Sequence, residues 1–181
     1  MVEKVLVKNS VLLIVDVQVG LFSIENLPIY REESLVHNIV NLITKARNAN
    51  VLIIFIQHND IKGKLLETGT KNWEIHPMLK PKEEDLIIQK FHSDSFFETN
   101  LDEELENHEI SHLVITGLMT PMCIDTTVRS AVSHGYGVTL IQDAHSTIDS
   151  EILTAPSIIA HHNDVLQAFA DLKKEDEFHF S

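Results

Sequence analysis

The chain has one thiol, Cys123, in 181 residues. One thiol closes no internal disulfide, so nothing in the sequence calls for an oxidising compartment. Basic side chains are also scarce, with 14 Lys and Arg against 27 Asp and Glu and a formal charge of −13. That balance opposes binding to nucleic acid or to an anionic membrane surface. No apolar run approaches the length needed to span a bilayer. Met1 to Asn9 carries lysines and a few valines, without the apolar segment and small-residue cleavage site of a signal peptide. A cytoplasmic protein with no nucleic-acid or membrane partner is therefore expected. What remains is ordinary globular composition, 44% hydrophobic and 23% charged. A length of 181 residues predicts a single domain over 1–181, able to bury roughly 70% of the surface its unfolded chain exposes. The eleven histidines should make the net charge less negative below about pH 6.5.

Continuous apolar runs recur along the chain: Val11 to Val15, Val51 to Ile56, Leu86 to Ile88, Leu113 to Ile115 and Val138 to Ile141. They do not alternate apolar with polar, which is how strands buried on both faces read. Helical patterns lie between them. Ser34 to Asn48 spaces Leu35, Ile39, Leu42, Ile43 and Ala46 near a 3.6 period, with Ser34 as N-cap. Thr99 to Asn107 has Thr99 as cap and acidic residues in its first turn. Met122 to His134 ends at Gly135, a C-terminal αL residue. Glu151 to His162 contains Pro156, which predicts a kink or a later start. The alternation predicts an α/β fold, a three-layer α-β-α sandwich around a mainly parallel, doubly wound, Rossmann-like sheet of about six strands. The stretch from Asn59 to Glu84, with Gly63, Gly69, Pro77 and Pro81, interrupts the rhythm. It is expected to be an irregular and functional excursion over the sheet edge.

In such a sheet ligands bind outside the carboxyl ends of the strands. The residues just past each run are Asp16, Gln57 with His58, Lys90, Gly117 through Cys123, and Asp143. A carboxylate, an ammonium and a thiol thus fall on one edge. Cys123 follows an apolar strand, a glycine and a short turn, at the start of a helix. A helix N-terminus aimed at an exposed sulfur favours the thiolate. Asp16 suits the role of base, Lys90 that of orienting cation, and the backbone N–H groups near Met119 and Cys123 that of an oxyanion hole. A structural Asp–Lys pair beside a buried thiol fits the same positions.

Three motifs carry a family resemblance. The first is Leu13-Ile14-Val15-Asp16-Val17-Gln18 followed by Phe22. The second is Lys90 with Ser95-Phe96 and Thr99-x-Leu101. The third is Thr116-Gly117-Leu118-Met119-Thr120, then Cys123, Thr127, Ala131, Gly135-Tyr136 and Asp143-Ala144. From about Val11 to about Ala170 the chain resembles the isochorismatase-like cysteine hydrolases, the superfamily of nicotinamidases and N-carbamoylsarcosine amidohydrolases. The resemblance implies a triad of Asp16 as base, Lys90 as orienting cation and Cys123 as nucleophile. It also implies a non-proline cis peptide at Leu118–Met119, a small-molecule substrate, and assembly into a homodimer or homotetramer. The segment Thr120-Pro121-Met122-Cys123 departs from the Thr-Asp-x-Cys or Thr-Asn-x-Cys of many relatives. Pro121 removes one N–H but is compatible with a first helical turn.

Metal-binding nicotinamidases present Asp-x-His after the second strand and a further histidine. This chain reads Gln57-His58-Asn59-Asp60, then Trp73 and His76. Zinc is conceivable from these residue types, but the spacing looks like the metal-independent branch, so neither metal nor cofactor is expected. The pocket expected here comprises Phe22, His58, Trp73, Phe96 and Met119. Phe22 and Phe96 suit core positions equally well, and Trp73 and His76 also suit a purely structural loop. The implied activity is hydrolysis of a small amide, carbamoyl or related C–N substrate through a thioester on Cys123. The alternatives are vinyl-ether hydrolysis of the isochorismatase type, which needs no thiol, and a binding or assembly protein of low activity.

Overall fold

A computed structural model of the chain describes residues 9–180. Of the N-terminal stretch read above, all but Asn9 lies outside those residues. Six strands form one sheet: β1 (Ser10–Val15), β2 (Leu52–His58), β3 (Leu86–Lys90), β4 (His112–Leu118), β5 (Gly137–Ser146) and β6 (Asp171–Lys173). Their order is β3-β2-β1-β4-β5-β6, and all five pairings are parallel. The order reverses between β1 and β4, which defines the switch point where ligands bind in doubly wound sheets.

The unalternating apolar runs are explained by burial on both faces. Leu12 and Ile14 of β1 join one core with Ile39, Leu42 and Ile43 of α1 (Glu32–Asn48). Val11, Leu13 and Val15 point the other way. They meet Leu101 and Leu105 of α2 (Leu101–Asn107), Val128 and Ala131 of α3 (Asp125–Ser133), and Leu166 of α4 (Ala155–Leu166). No helix among the described residues is long and apolar enough to cross a membrane.

Helix boundaries depart from the sequence reading for local reasons. The N-cap of α1 is Arg31, at φ 51°, not Ser34. Glu32 and Glu33 fill its first turn, where negative charge meets the helix dipole. For α2 the cap is Asn100, while the Thr99 hydroxyl accepts the Leu101 N–H at 3.2 Å. Helix α4 starts at Ala155 and runs on to Leu166. Pro156 sits in its first turn, where the missing N–H has no partner to lose, and Asp149 Oδ1 takes the Ala155 N–H at 2.7 Å.

Strand β5 also runs past the polar pair that seemed to end it. A register shift opposite Ile115 and Gly117 carries it to Ser146. Asp143 therefore lies within the strand, exposed, with Oδ1 accepting the Glu175 N–H at 2.8 Å. It is not one of the residues at the ligand-binding edge. The sixth strand, three residues paired with Thr139–Ile141, has no apolar run to announce it. The Asn59 to Glu84 excursion contains a short 3-10 turn at Lys71–Trp73. It is laced to the segment after β1 by Val19 N–H to Glu74 O and His76 N–H to Val17 O, both 2.9 Å.

Candidate active site

Asp16 is the first residue past β1 and holds a left-handed φ of 52°. Among L-residues, Asp and Asn tolerate that conformation best. The turn swings its carboxyl off the strand direction while the Asp16 N–H still bonds Ile56 O at 3.0 Å. Lys90, the last residue of β3, is wholly buried, and its Nζ lies 2.7 Å from Asp16 Oδ2. This is an ion pair without hydrogen-bond alignment, so both Asp16 oxygens lack a hydrogen-bond partner. The ammonium donates instead to Ser93 O at 3.1 Å.

Gly117 brings β4 against β1 beside this pair. Its φ is +124°, and a Cβ there would stand 2.1 Å from Val15 O. The Leu118–Met119 peptide that follows is cis. The Met119 N–H makes no backbone hydrogen bond among the described residues. Residues Thr120–Ile124 form one wide π turn with Pro121 in its first positions. In it the Ile124 N–H reaches back to Met119 O at 3.2 Å. Pi turns are uncommon and recur at functional sites. This one carries Cys123 and leads directly into α3.

Burial overrides the expected helix effect on the thiol. Removal from water, then the neighbouring Asp16 charge, push the Cys123 pKa up from 9.0 to about 12, with Lys90 opposing. The resting sulfur is a protonated thiol between an aspartate and a lysine, not a free thiolate. A cavity of about 280 Å³ opens on Asp16 and Cys123. Leu21, Leu65, Leu66, Met119 and Met122 form its apolar walls, and His58, Asp60 and Ser93 supply polar groups.

Two of the five residues expected in the pocket, His58 and Met119, line this cavity. Phe22 faces a larger cavity of about 420 Å³ with His76 and the α1 residues Glu32 and His37. The turn Val19–Phe22 puts Leu21, not Phe22, toward the thiol. Phe96 is a core residue stacked on His134 and Tyr136. Trp73 is structural: its indole N–H donates to Asn59 Oδ1 at 2.6 Å, and its carbonyl accepts from Gln18 and Gln57. His76 and His58 line different cavities. His58 Nε2 has Asp60 Oδ1 at 3.8 Å, and no group of three His, Cys, Asp or Glu among the described residues is arranged to hold a metal.

Several supporting residues had no assigned role in the sequence reading. Gln18 is fully buried and ties the segment after β1 to the end of β2 and to the Lys71–Trp73 turn. Its Nε2 donates to His58 O at 2.9 Å and Trp73 O at 2.8 Å, and its Oε1 accepts the His58 N–H at 2.8 Å. Its two-residue offset from Asp16 is visible in the sequence, but its partners are not. Thr120 Oγ1 meets His145 Nδ1 at 2.9 Å, and His145 Nε2 meets Asn163 Oδ1 at 2.9 Å. Burial lowers the His145 pKa to about 4, so the ring is neutral. Its one proton belongs on Nε2, facing the Asn163 oxygen, which leaves Nδ1 to accept from Thr120. This chain of bonds anchors the start of the Cys123 turn to β5 and α4. Ser95 Oγ and Thr127 Oγ1, 2.8 Å apart, tie the loop after Lys90 to α3.

Known proteins share this arrangement of elements. YddQ of Bacillus subtilis (strain 168), an uncharacterized isochorismatase family protein, is 33% identical over 147 residues, covering 80% of this chain and 81% of that protein. Streptothricin hydrolase of Streptomyces noursei is 31% identical over 148 residues, covering 81% of this chain and 52% of that protein. The crystal structure of an isochorismatase from Pseudomonas putida KT2440 superposes with a TM-score of 0.88 at 26% identity, over 94% of this chain and 90% of that one. Residues 10–162 match the isochorismatase domain. That match begins at the first residue of β1 and ends inside α4, so it takes in every strand that ends at the site, and the chain belongs to the isochorismatase family.

Proposed function

We propose that this protein hydrolyses a small amide or related C–N substrate through a thioester on Cys123. The observation that carries the reading is the buried Asp16–Lys90 pair, 2.7 Å apart, whose Asp16 lines the same cavity as the only thiol. A thiol with a pKa near 12 does not ionise ahead of attack at neutral pH. Its proton passes to Asp16 as the carbon–sulfur bond forms. Lys90, with Nζ 2.7 Å from Asp16 Oδ2, holds the carboxyl in place to accept it. The carbonyl oxygen, now negative, takes the unpartnered Met119 N–H and the Cys123 N–H. As the tetrahedral adduct collapses, Asp16 returns the proton to the departing nitrogen, and amine or ammonia leaves. Water then adds to the thioester with Asp16 as base, releasing the carboxylic acid and restoring the thiol. Streptothricin hydrolase, named for a hydrolytic activity and 31% identical, supports a hydrolytic reading.

The test is a screen of amides and carbamoyl compounds with the parent and Cys123→Ala, with and without chelator. Cys123→Ala should fold normally and lose turnover by at least about 10³-fold, the scale on which nucleophile removal acts. Turnover of an identified amide at the parent rate by Cys123→Ala overturns the thioester mechanism. Vinyl-ether hydrolysis, which needs no thiol, predicts that outcome with isochorismate.

A further inference from the structure

The cavity has a sign. Among its lining residues are two carboxylates, Asp16 and Asp60, and no lysine or arginine. The one ammonium nearby, Lys90, is wholly buried and spent on Asp16 and Ser93 O. Asp16 itself is buried with both oxygens lacking a hydrogen-bond partner. Asp60 is at the partly exposed side of the site. Its Oδ2 accepts the Leu66 N–H at 3.1 Å, which holds the side chain in place, while Oδ1 has only His58 Nε2 at 3.8 Å. A substrate carboxylate entering here would meet like charge without a paired cation, in surroundings walled by Leu65 and Met122. A cationic group meets an anchored carboxylate with an open oxygen.

Resting on the amide-hydrolase reading, we infer that the substrate is an amide with a short apolar body ending in a cationic group, and that Asp60 is the residue that selects it. Leu65 and Met122 flank the apolar part, and Asp60 Oδ1 receives the ammonium. Carboxylate-bearing amides and ureas are excluded by the same charge.

The lone cysteine makes the test direct, because any thiol label reports this cavity alone. Parent and Asp60→Asn are treated with methanethiosulfonates of matched size carrying an aminoethyl cation, a neutral ethyl group or a sulfonatoethyl anion. The Cys123 sulfur forms a disulfide with the transferred group and expels methanesulfinate. Rates are followed by intact mass and divided by those of the denatured chain. The parent should favour the cation over the anion by about tenfold or more, in the range that focused fields give in clefts. Asp60→Asn keeps the acceptor oxygen for Leu66 N–H and should bring the ratio to within about threefold. An unchanged ratio in Asp60→Asn overturns the assignment, because the preference then belongs to the overall −13 charge. Absence of a cation preference in the parent overturns it as well, as does a thiol that none of the three reagents reaches. Labelling needs no hydrolysis, so the charge preference and the amide-hydrolase reading fail separately: the latter falls with the Cys123→Ala comparison, using amides that end in a cation, a methyl group or a carboxylate.

Discussion

The reactivity of Cys123 is set by what surrounds the sulfur, not by its place in the sequence. A helix start beside a thiol favours ionisation. Here burial and the Asp16 carboxylate outweigh that effect and lift the pKa to about 12. Resting Cys123 should therefore react with iodoacetamide roughly 50-fold more slowly at pH 7 than the denatured chain, after allowing for the greater nucleophilicity of a high-pKa thiolate. Its rate should keep rising with pH through 9, without a plateau. A plateau near pH 7 in the alkylation profile would mean that the thiolate forms at rest and that proton transfer precedes attack. At the same scale, Asp16, Lys90 and Cys123 were all legible in the sequence, because each stands at the end of an apolar run or in the turn that follows one. The pocket aromatics were not. Whether Leu21 or Phe22 faces the thiol depends on the phase of a single 3-10 turn, and hydrophobic pattern does not encode that phase.

At the scale of elements, the site depends on how closely β4 approaches β1. Gly117 pairs with Val15 in the ladder, at the point where the sheet order reverses. Gly117→Ala puts a methyl group 2.1 Å from Val15 O and demands a left-handed φ of an L-residue. The contact is with backbone, so it is relieved only by moving a strand. Chemical denaturation should show a loss of stability of about 3 kcal/mol or more. Activity measured well below the new melting temperature should fall too, since Asp16 and Met119 move with the two strands. A Gly117→Ala protein with parent stability would show that the close approach relaxes at little cost. The five long strands were readable because two-sided burial demands unbroken apolar runs. Strand β6 and the far half of β5 were not. One is three residues long, and the other reaches Ser146 only through a register shift that places Asp143 on the outside.

At the scale of the whole molecule, buried histidines couple stability to pH. Desolvation lowers the pKa of His145 from 6.5 to about 4, and lowers those of His112 and His76 as well. Between those two values the unfolded chain binds protons that folded His145 refuses. The unfolded state then holds more protons, so stability rises with pH through this window and is complete above about pH 6.5. Acidification from pH 7 to 4 should cost about 3 kcal/mol from His145 alone. His145→Gln should flatten the urea midpoint across that range while lowering it at pH 7, because the bonds to Thr120 and Asn163 weaken. An equally steep midpoint in His145→Gln would assign the pH dependence to other groups.

By itself the sequence determined the class of fold and which polar residues stand at the strand ends. Both follow from one physical fact, that strands buried on both faces must be continuously apolar and so expose their chemistry only at their ends. Tertiary structure alone decided what those residues experience. The ion pair between Asp16 and Lys90 joins β1 to β3 across the intervening β2. The protonated state of Cys123 is the balance of desolvation and two charges brought from distant strands. The two carboxylates of the cavity come from separate places in the chain, Asp16 after β1 and Asp60 in the excursion after β2. Each is a through-space quantity, and no local pattern of residues carries it.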